Sequence, residues 1–170
     1  MADLKTSELR ELRVKSDSIT CTEAIGAVLG RGLQPGDVIC LSGMLGAGKT
    51  VFSRGIGHGW GAVPALTRPT YNLVHLHRRA LDKQQLEHID LYRISGANEA
   101  DTLGIDDLLD SETILILEWP ERIRERLPQA HLWIDIELVD DNQRELVFRA
   151  QGSRYAARID ALRRDVQVPG

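Results

Sequence analysis

The chain has 170 residues, 42% of them hydrophobic and 27% charged, with a formal net charge of -4. That balance fits a soluble globular chain with a real core and excludes a disordered tail; the acidic total gives no sign of the broad basic face of an unaided RNA binder. No apolar run approaches the roughly 20 residues of a membrane span, and Met1 to Lys5 lacks the apolar centre of a signal peptide, so a cytoplasmic protein is expected. Length predicts one domain over residues 1–170, with residues 1–10 polar, uncapped and frayed. In a reducing compartment, Cys21 and Cys40 read as small free thiols, not as a disulfide or metal pair.

In chain order, residues 11–15 suit an edge strand. Thr20 or Thr22 is placed to cap a helix running to about Arg31, with Ala24, Ile25, Val28 and Leu29 on its buried stripe. Gln34-Pro35-Gly36-Asp37 is a turn, and residues 38–42 are an apolar strand suited to burial on both faces. A helix is predicted from Lys49 to about Gly57, broken by Gly57, Gly59 and Gly61. Residues 71–79 and 84–92 read as a hairpin, residues 98–109 as a helix interrupted near Gly104, and residues 113–117 as a second apolar strand. Residues 121–126 read as a short charged helix, residues 131–138 and 144–150 as a second hairpin, and residues 154–164 as a closing helix. The sum is an α/β fold, a three-layer P-loop NTPase-like domain with a mixed parallel/antiparallel sheet.

Gly43-Met44-Leu45-Gly46-Ala47-Gly48-Lys49-Thr50 matches G-x-x-x-x-G-K-[ST] in full, with a strand before it and a helix after. Glycines let successive backbone N–H groups converge on one anion, and the helix N-terminus adds partial positive charge. Lys49 supplies a full charge for the β- and γ-phosphates, and the Thr50 hydroxyl is placed for magnesium. Such a loop needs acids at neighbouring strand tips. Glu118 ends an apolar strand. Asp90 lies in His88-Ile89-Asp90-Leu91-Tyr92, where alternation sets His88, Asp90 and Tyr92 on one face.

Other features are less specific. Thr70, in Thr67-Arg68-Pro69-Thr70-Tyr71, reads either as a switch residue near the γ-phosphate or as part of a proline turn. Asp101-Thr102-Leu103-Gly104 follows no apolar strand and no Asn-Lys-x-Asp is present, which argues against a GTPase. Arg122, Arg124 and Arg126 fit a kinase lid less well than a solvated helix, because Glu121 and Glu125 interleave with them. His75, His77 and His88 lack the companions of a metal site. Trp119 suits stacking and core packing equally.

The loop at 43–50, then Arg68-Pro69-Thr70-Tyr71-Asn72-Leu73-Val74, His88-Ile89-Asp90-Leu91-Tyr92-Arg93 and Leu117-Glu118-Trp119-Pro120, come in the order and spacing of the TsaE (YjeE-type) ATPases. The chain resembles that family from about residue 16 to 150. The resemblance implies a weak, Mg2+-dependent ATPase that supports formation of threonylcarbamoyladenosine in tRNA by acting on the TsaB and TsaD proteins, with tRNA met through that complex and no membrane. It implies that Lys49 contacts phosphate and that Thr50, Asp90 and Glu118 organise magnesium. Gly43, Gly46, Ala47, Gly48 and Val51 line the nucleotide, Thr70 lies in a switch-like segment, and Tyr92 and Trp119 shape the site. Ser18 to Thr22 lies near the base, and Arg144 is within reach of the nucleotide. Met44, Arg68 and Val51 depart from the family's usual acid, serine and threonine. A small-molecule kinase and a nucleotide-dependent docking module without turnover are the alternatives.

Overall fold

The computed structural model describes residues 10–67 and 73–166. The strands are β1 (Arg10–Ser16), β2 (Val38–Ser42), β3 (Ala62–Val63), β4 (Val74–Arg79), β5 (Gln85–Asp90), β6 (Ile114–Glu118), β7 (His131–Leu138) and β8 (Arg144–Gln151). The helices are α1 (Ile19–Arg31), α2 (Lys49–Trp60), α3 (Ala97–Thr102), α4 (Ile105–Leu109) and α5 (Ser153–Val166), with a 3-10 segment at Pro120–Arg126.

The strands form one mixed sheet in the order β1-β8-β7-β2-β6-β5-β4-β3. The centre is parallel: β2 runs beside β6 and β7, and β5 runs beside β6. Both predicted hairpins, β4–β5 and β7–β8, extend it antiparallel, and β1 is an edge strand paired with β8. The apolar runs of β2 and β6 are buried almost throughout because both of their faces are covered.

On one face, α1, α2 and α5 cover a core that includes Ile39, Leu41, Phe52, Ile56, Ile134 and Phe148. On the other, α3, α4 and the 3-10 segment cover a smaller core with Cys40, Ile89, Leu91, Leu117 and Ile123. The third layer stops at β7. Over β7, β8 and β1 that second face carries an ion-pair lattice instead: Arg13 pairs with Glu11 and Glu145, and Arg149 pairs with Glu11 and Asp135.

The glycines after the loop do not break α2, which continues to Trp60 and ends at Gly61, a left-handed cap with φ 91°. They let it press against α1. A Cβ at Gly59 would lie 2.0 Å from the Ala27 carbonyl oxygen, and one at Gly55 would lie 2.2 Å from that of Glu23. Gly26 and Gly30 answer from α1, where a Cβ would lie 2.5 Å from Phe52 O and 2.1 Å from Ile56 O.

The cap of α1 is Ser18, whose hydroxyl accepts from Cys21 N at 3.1 Å, and not Thr20 or Thr22. Thr22 is buried and shares a 2.7 Å hydroxyl contact with Ser16. The segment 121–126 is a 3-10 turn kinked at Ile123, not an α-helix. Cys21 and Cys40 are free thiols, and burial pushes the Cys40 thiol far up. Among the described residues no helix is long and apolar enough to cross a membrane.

Candidate functional site

The loop between β2 and α2 is shaped by three glycines at positive φ: Gly43 (153°), Gly46 (81°) and Gly48 (113°). Gly43 is fixed by space as well, since a Cβ there would meet the Ile136 carbonyl oxygen at 2.6 Å. Gly46 needs glycine for its conformation alone, as its Cβ direction is open. The loop therefore passes from strand to helix and brings its backbone to the N-terminus of α2, a position that favours an anion.

Lys49 opens α2 and is buried. Its Nζ donates to the carbonyls of Gly43 at 2.5 Å and Met44 at 2.9 Å, and lies 4.2 Å from the centroid of the Trp119 ring. Trp119 is the one non-glycine residue at positive φ among the described residues, φ 60°, in the turn that leaves β6. An aromatic residue held there, directly before Pro120, marks backbone strain at the edge of the loop. Tyr92 packs on it with ring centroids 5.1 Å apart.

Glu118 ends β6 with 2% of its surface exposed. The parallel register sets it beside Leu41 on β2 and beside Asp90 on β5, so the loop and both acids share the C-terminal end of the sheet. That is the end where open α/β sheets bind ligands. Glu118 Oε1 lies 2.8 Å from His88 Nε2 and 3.2 Å from Ser53 Oγ. Burial opposes its ionisation, but the His88 contact, the Ser53 hydroxyl and the Lys49 ammonium outweigh it and hold the carboxyl below the ordinary 4.5.

Asp90 is buried, and its Oδ1 accepts from Tyr92 N at 2.9 Å. That bond turns the chain and ends β5, so Tyr92 leaves the strand and the predicted alternation stops at Asp90. A cleft of about 390 Å³ is lined by Leu45, Gly46, Gly48, Lys49, Thr50, Val51, Glu118 and Trp119; Asp90 stands one strand further out. Next to it, a hollow of about 80 Å³ is bounded by Ser18, Ile19, Thr22, Gly48, Val51, Asn142 and Arg144, among others. Arg144 also braces the loop, donating from Nε to the Ala47 carbonyl at 2.9 Å. Thr70 and Arg68 lie outside the described residues.

The oxygen donors present, one threonine hydroxyl and two carboxylates, suit a hard divalent cation that takes its remaining ligands from water and phosphate. Among the described residues no cluster of three or more His, Cys, Asp or Glu could hold a metal alone. Sequence reading passed over Ser53, whose signal was legible one helical turn beyond Lys49. It set His88 on one face with Asp90 but did not join it to Glu118, because that contact depends on the pairing of β5 with β6.

Two of the three arginines of the 3-10 segment are engaged away from the cleft. Arg126 pairs with Asp101 at 2.5 Å and Asp106 at 2.9 Å, and Arg124 stacks 4.5 Å over the Trp133 ring. Asp101 thus serves an ion pair, as expected of a chance D-x-x-G.

The family model for "Threonylcarbamoyl adenosine biosynthesis protein TsaE" matches residues 16–146. The tRNA threonylcarbamoyladenosine biosynthesis protein TsaE of Bacillus subtilis is 33% identical over 156 residues, covering 92% of this chain and 96% of that protein. The protein of the same description from Mycobacterium tuberculosis H37Rv is 40% identical over 124 residues, covering 69% and 74%. The crystal structure of Bacillus subtilis YdiB superimposes with a TM-score of 0.78 at 32% identity, covering 92% of this chain and 97% of that one. Loop, register and relatives agree, and the chain belongs to the TsaE family, with its nucleotide-binding P-loop fold.

Proposed function

We propose that this chain is a cytoplasmic, Mg2+-dependent ATPase that supports formation of threonylcarbamoyladenosine in tRNA by acting on the TsaB and TsaD proteins. The observation that carries the reading is the convergence of Lys49, Thr50 and Glu118 on one cleft beneath a glycine loop. The names of its relatives point to the pathway.

The amides of Gly46, Gly48 and Lys49 and the Lys49 ammonium hold the β- and γ-phosphates. Thr50, Asp90 and Glu118 would hold magnesium, which would neutralise charge on the phosphate oxygens. Water attacks the γ-phosphorus in line, the bond to the β–γ bridging oxygen breaks, and ADP and phosphate leave. Glu118, ionised at neutral pH, accepts hydrogen bonds from the water shell and orients it. The hollow bounded by Ser18, Ile19 and Arg144 receives the nucleoside end. ATP turnover resets the partner complex, and tRNA is met through that complex.

A second reading, nucleotide-dependent docking without turnover, is favoured by the tip of the loop. Met44 and Leu45 are 79% and 62% exposed, an apolar pair where the family's usual acid would be charged. The kinase alternative loses two of its three lid arginines, since Arg124 and Arg126 are engaged elsewhere.

Reconstitution with TsaB and TsaD from the same source tests the reading. Threonylcarbamoyladenosine that accumulates over many cycles only when this chain and ATP are present is the expected result. Equal yield without the chain, or with a non-hydrolysable ATP analogue, contradicts the ATPase role; the second of these outcomes supports docking.

A further inference from the structure

Among the described residues, both hydrogen-bond contacts to the Glu118 carboxylate reach the same oxygen. His88 Nε2 lies 2.8 Å from Oε1 and Ser53 Oγ lies 3.2 Å from it. The Ser53 hydroxyl has a single proton and a nearer acceptor, the Lys49 carbonyl at 2.8 Å. The bond that fixes Glu118 therefore comes from His88. An ionised carboxylate only accepts, so Nε2 carries the proton. Nδ1 of His88 is buried without a partner among the described residues. That suits a bare acceptor nitrogen, since an N–H there would be a buried donor with nothing to receive it.

His88 is fully buried and sits on β5 opposite Ile116, two residues before the position paired with Glu118. Its ring is thus held on a rigid strand and reaches diagonally to the neighbouring strand tip. It lines neither cleft.

Building on the ATPase reading, we infer that His88 is a positioning residue for Glu118. Its Nε2–H anchors Oε1 and leaves Oε2, which takes no hydrogen bond among the described residues, as the oxygen that serves the cleft. Without that anchor Glu118 is free to change rotamer, and a carboxylate that turns away abandons its place in the cleft.

Two substitutions separate anchoring from filling. His88→Gln keeps an N–H donor near the position of Nε2, and His88→Leu keeps apolar bulk without a donor. ADP affinity is measured by calorimetry with Mg2+ and with EDTA, beside steady-state ATP turnover. In His88→Leu the Mg2+-dependent gain in ADP affinity and kcat should each fall about tenfold or more, while affinity in EDTA stays within about twofold. His88→Gln should recover most of both losses. Unchanged Mg2+ dependence in His88→Leu, or a Gln variant no better than the Leu variant, overturns the inference.

The wild-type chain gives an independent test should His88→Leu fail to fold. Ring 15N spectra must show His88 protonated at Nε2 and bare at Nδ1; the opposite tautomer overturns the inference. Absence of ATP turnover in the wild type would overturn the ATPase reading alone, because the affinity and tautomer measurements decide the role of His88 without hydrolysis.

Discussion

The Lys49 ammonium lies 4.2 Å from the centroid of the Trp119 ring while donating to the Gly43 and Met44 carbonyls. An incoming phosphate competes with those carbonyls for the same charge, and a cation leaving an aromatic face changes the environment of that ring. Nucleotide binding should therefore alter tryptophan emission. The change should vanish in Trp119→Phe and persist in Trp133→Phe, whose ring stacks with Arg124. A change that survives in Trp119→Phe would place the reporter elsewhere.

Glu118 gives a pH dependence with a definite sign. Its carboxyl is held below the ordinary 4.5, so folding favours the ionised form. That contribution is fully present above the unfolded value and is lost as pH falls through the folded one. Urea midpoints of the wild type and Glu118→Gln, compared from pH 7 downward, should differ by a constant amount until about pH 4.5 and then converge. A difference that widens on acidification contradicts the assignment.

The contact between α1 and α2 leaves no room for a methyl group. Gly59→Ala would set a Cβ 2.0 Å from the Ala27 carbonyl oxygen, backbone that cannot swing aside. Destabilisation of about 1–3 kcal/mol is expected, against the gain that Gly to Ala brings in an unhindered helix. Thermal or urea unfolding measures it; a variant as stable as the wild type would show that the helices separate freely.

The same contact shows where sequence reading stops. Gly57, Gly59 and Gly61 read as helix breakers because propensity is local, whereas Gly55 and Gly59 are dictated by α1, some thirty residues earlier in the chain. Only Gly61 acts as a stop signal. The glycine loop and β2 were legible because their signal is contiguous. Glu118 was legible because a carboxylate closing an apolar strand is unusual. His88 and Glu118 are thirty residues apart, and no spacing rule joins them; the register of β5 and β6 does. Ser18 displaced Thr20 and Thr22 as the cap of α1 because Thr22 is drawn inward to Ser16.

The central claim is that the Lys49 cleft binds and turns over ATP. Steady-state ATP hydrolysis and ATP affinity, measured for the wild type and Lys49→Ala, alone and with the TsaB and TsaD proteins, test it most directly. Removing a buried ammonium from the phosphates should cost about 2–3 kcal/mol, roughly 30- to 150-fold in ATP affinity. The account predicts slow turnover alone, faster turnover with the partners, and none in the variant. Equal ATP affinity in Lys49→Ala, or no hydrolysis by the wild type in either setting, would contradict it.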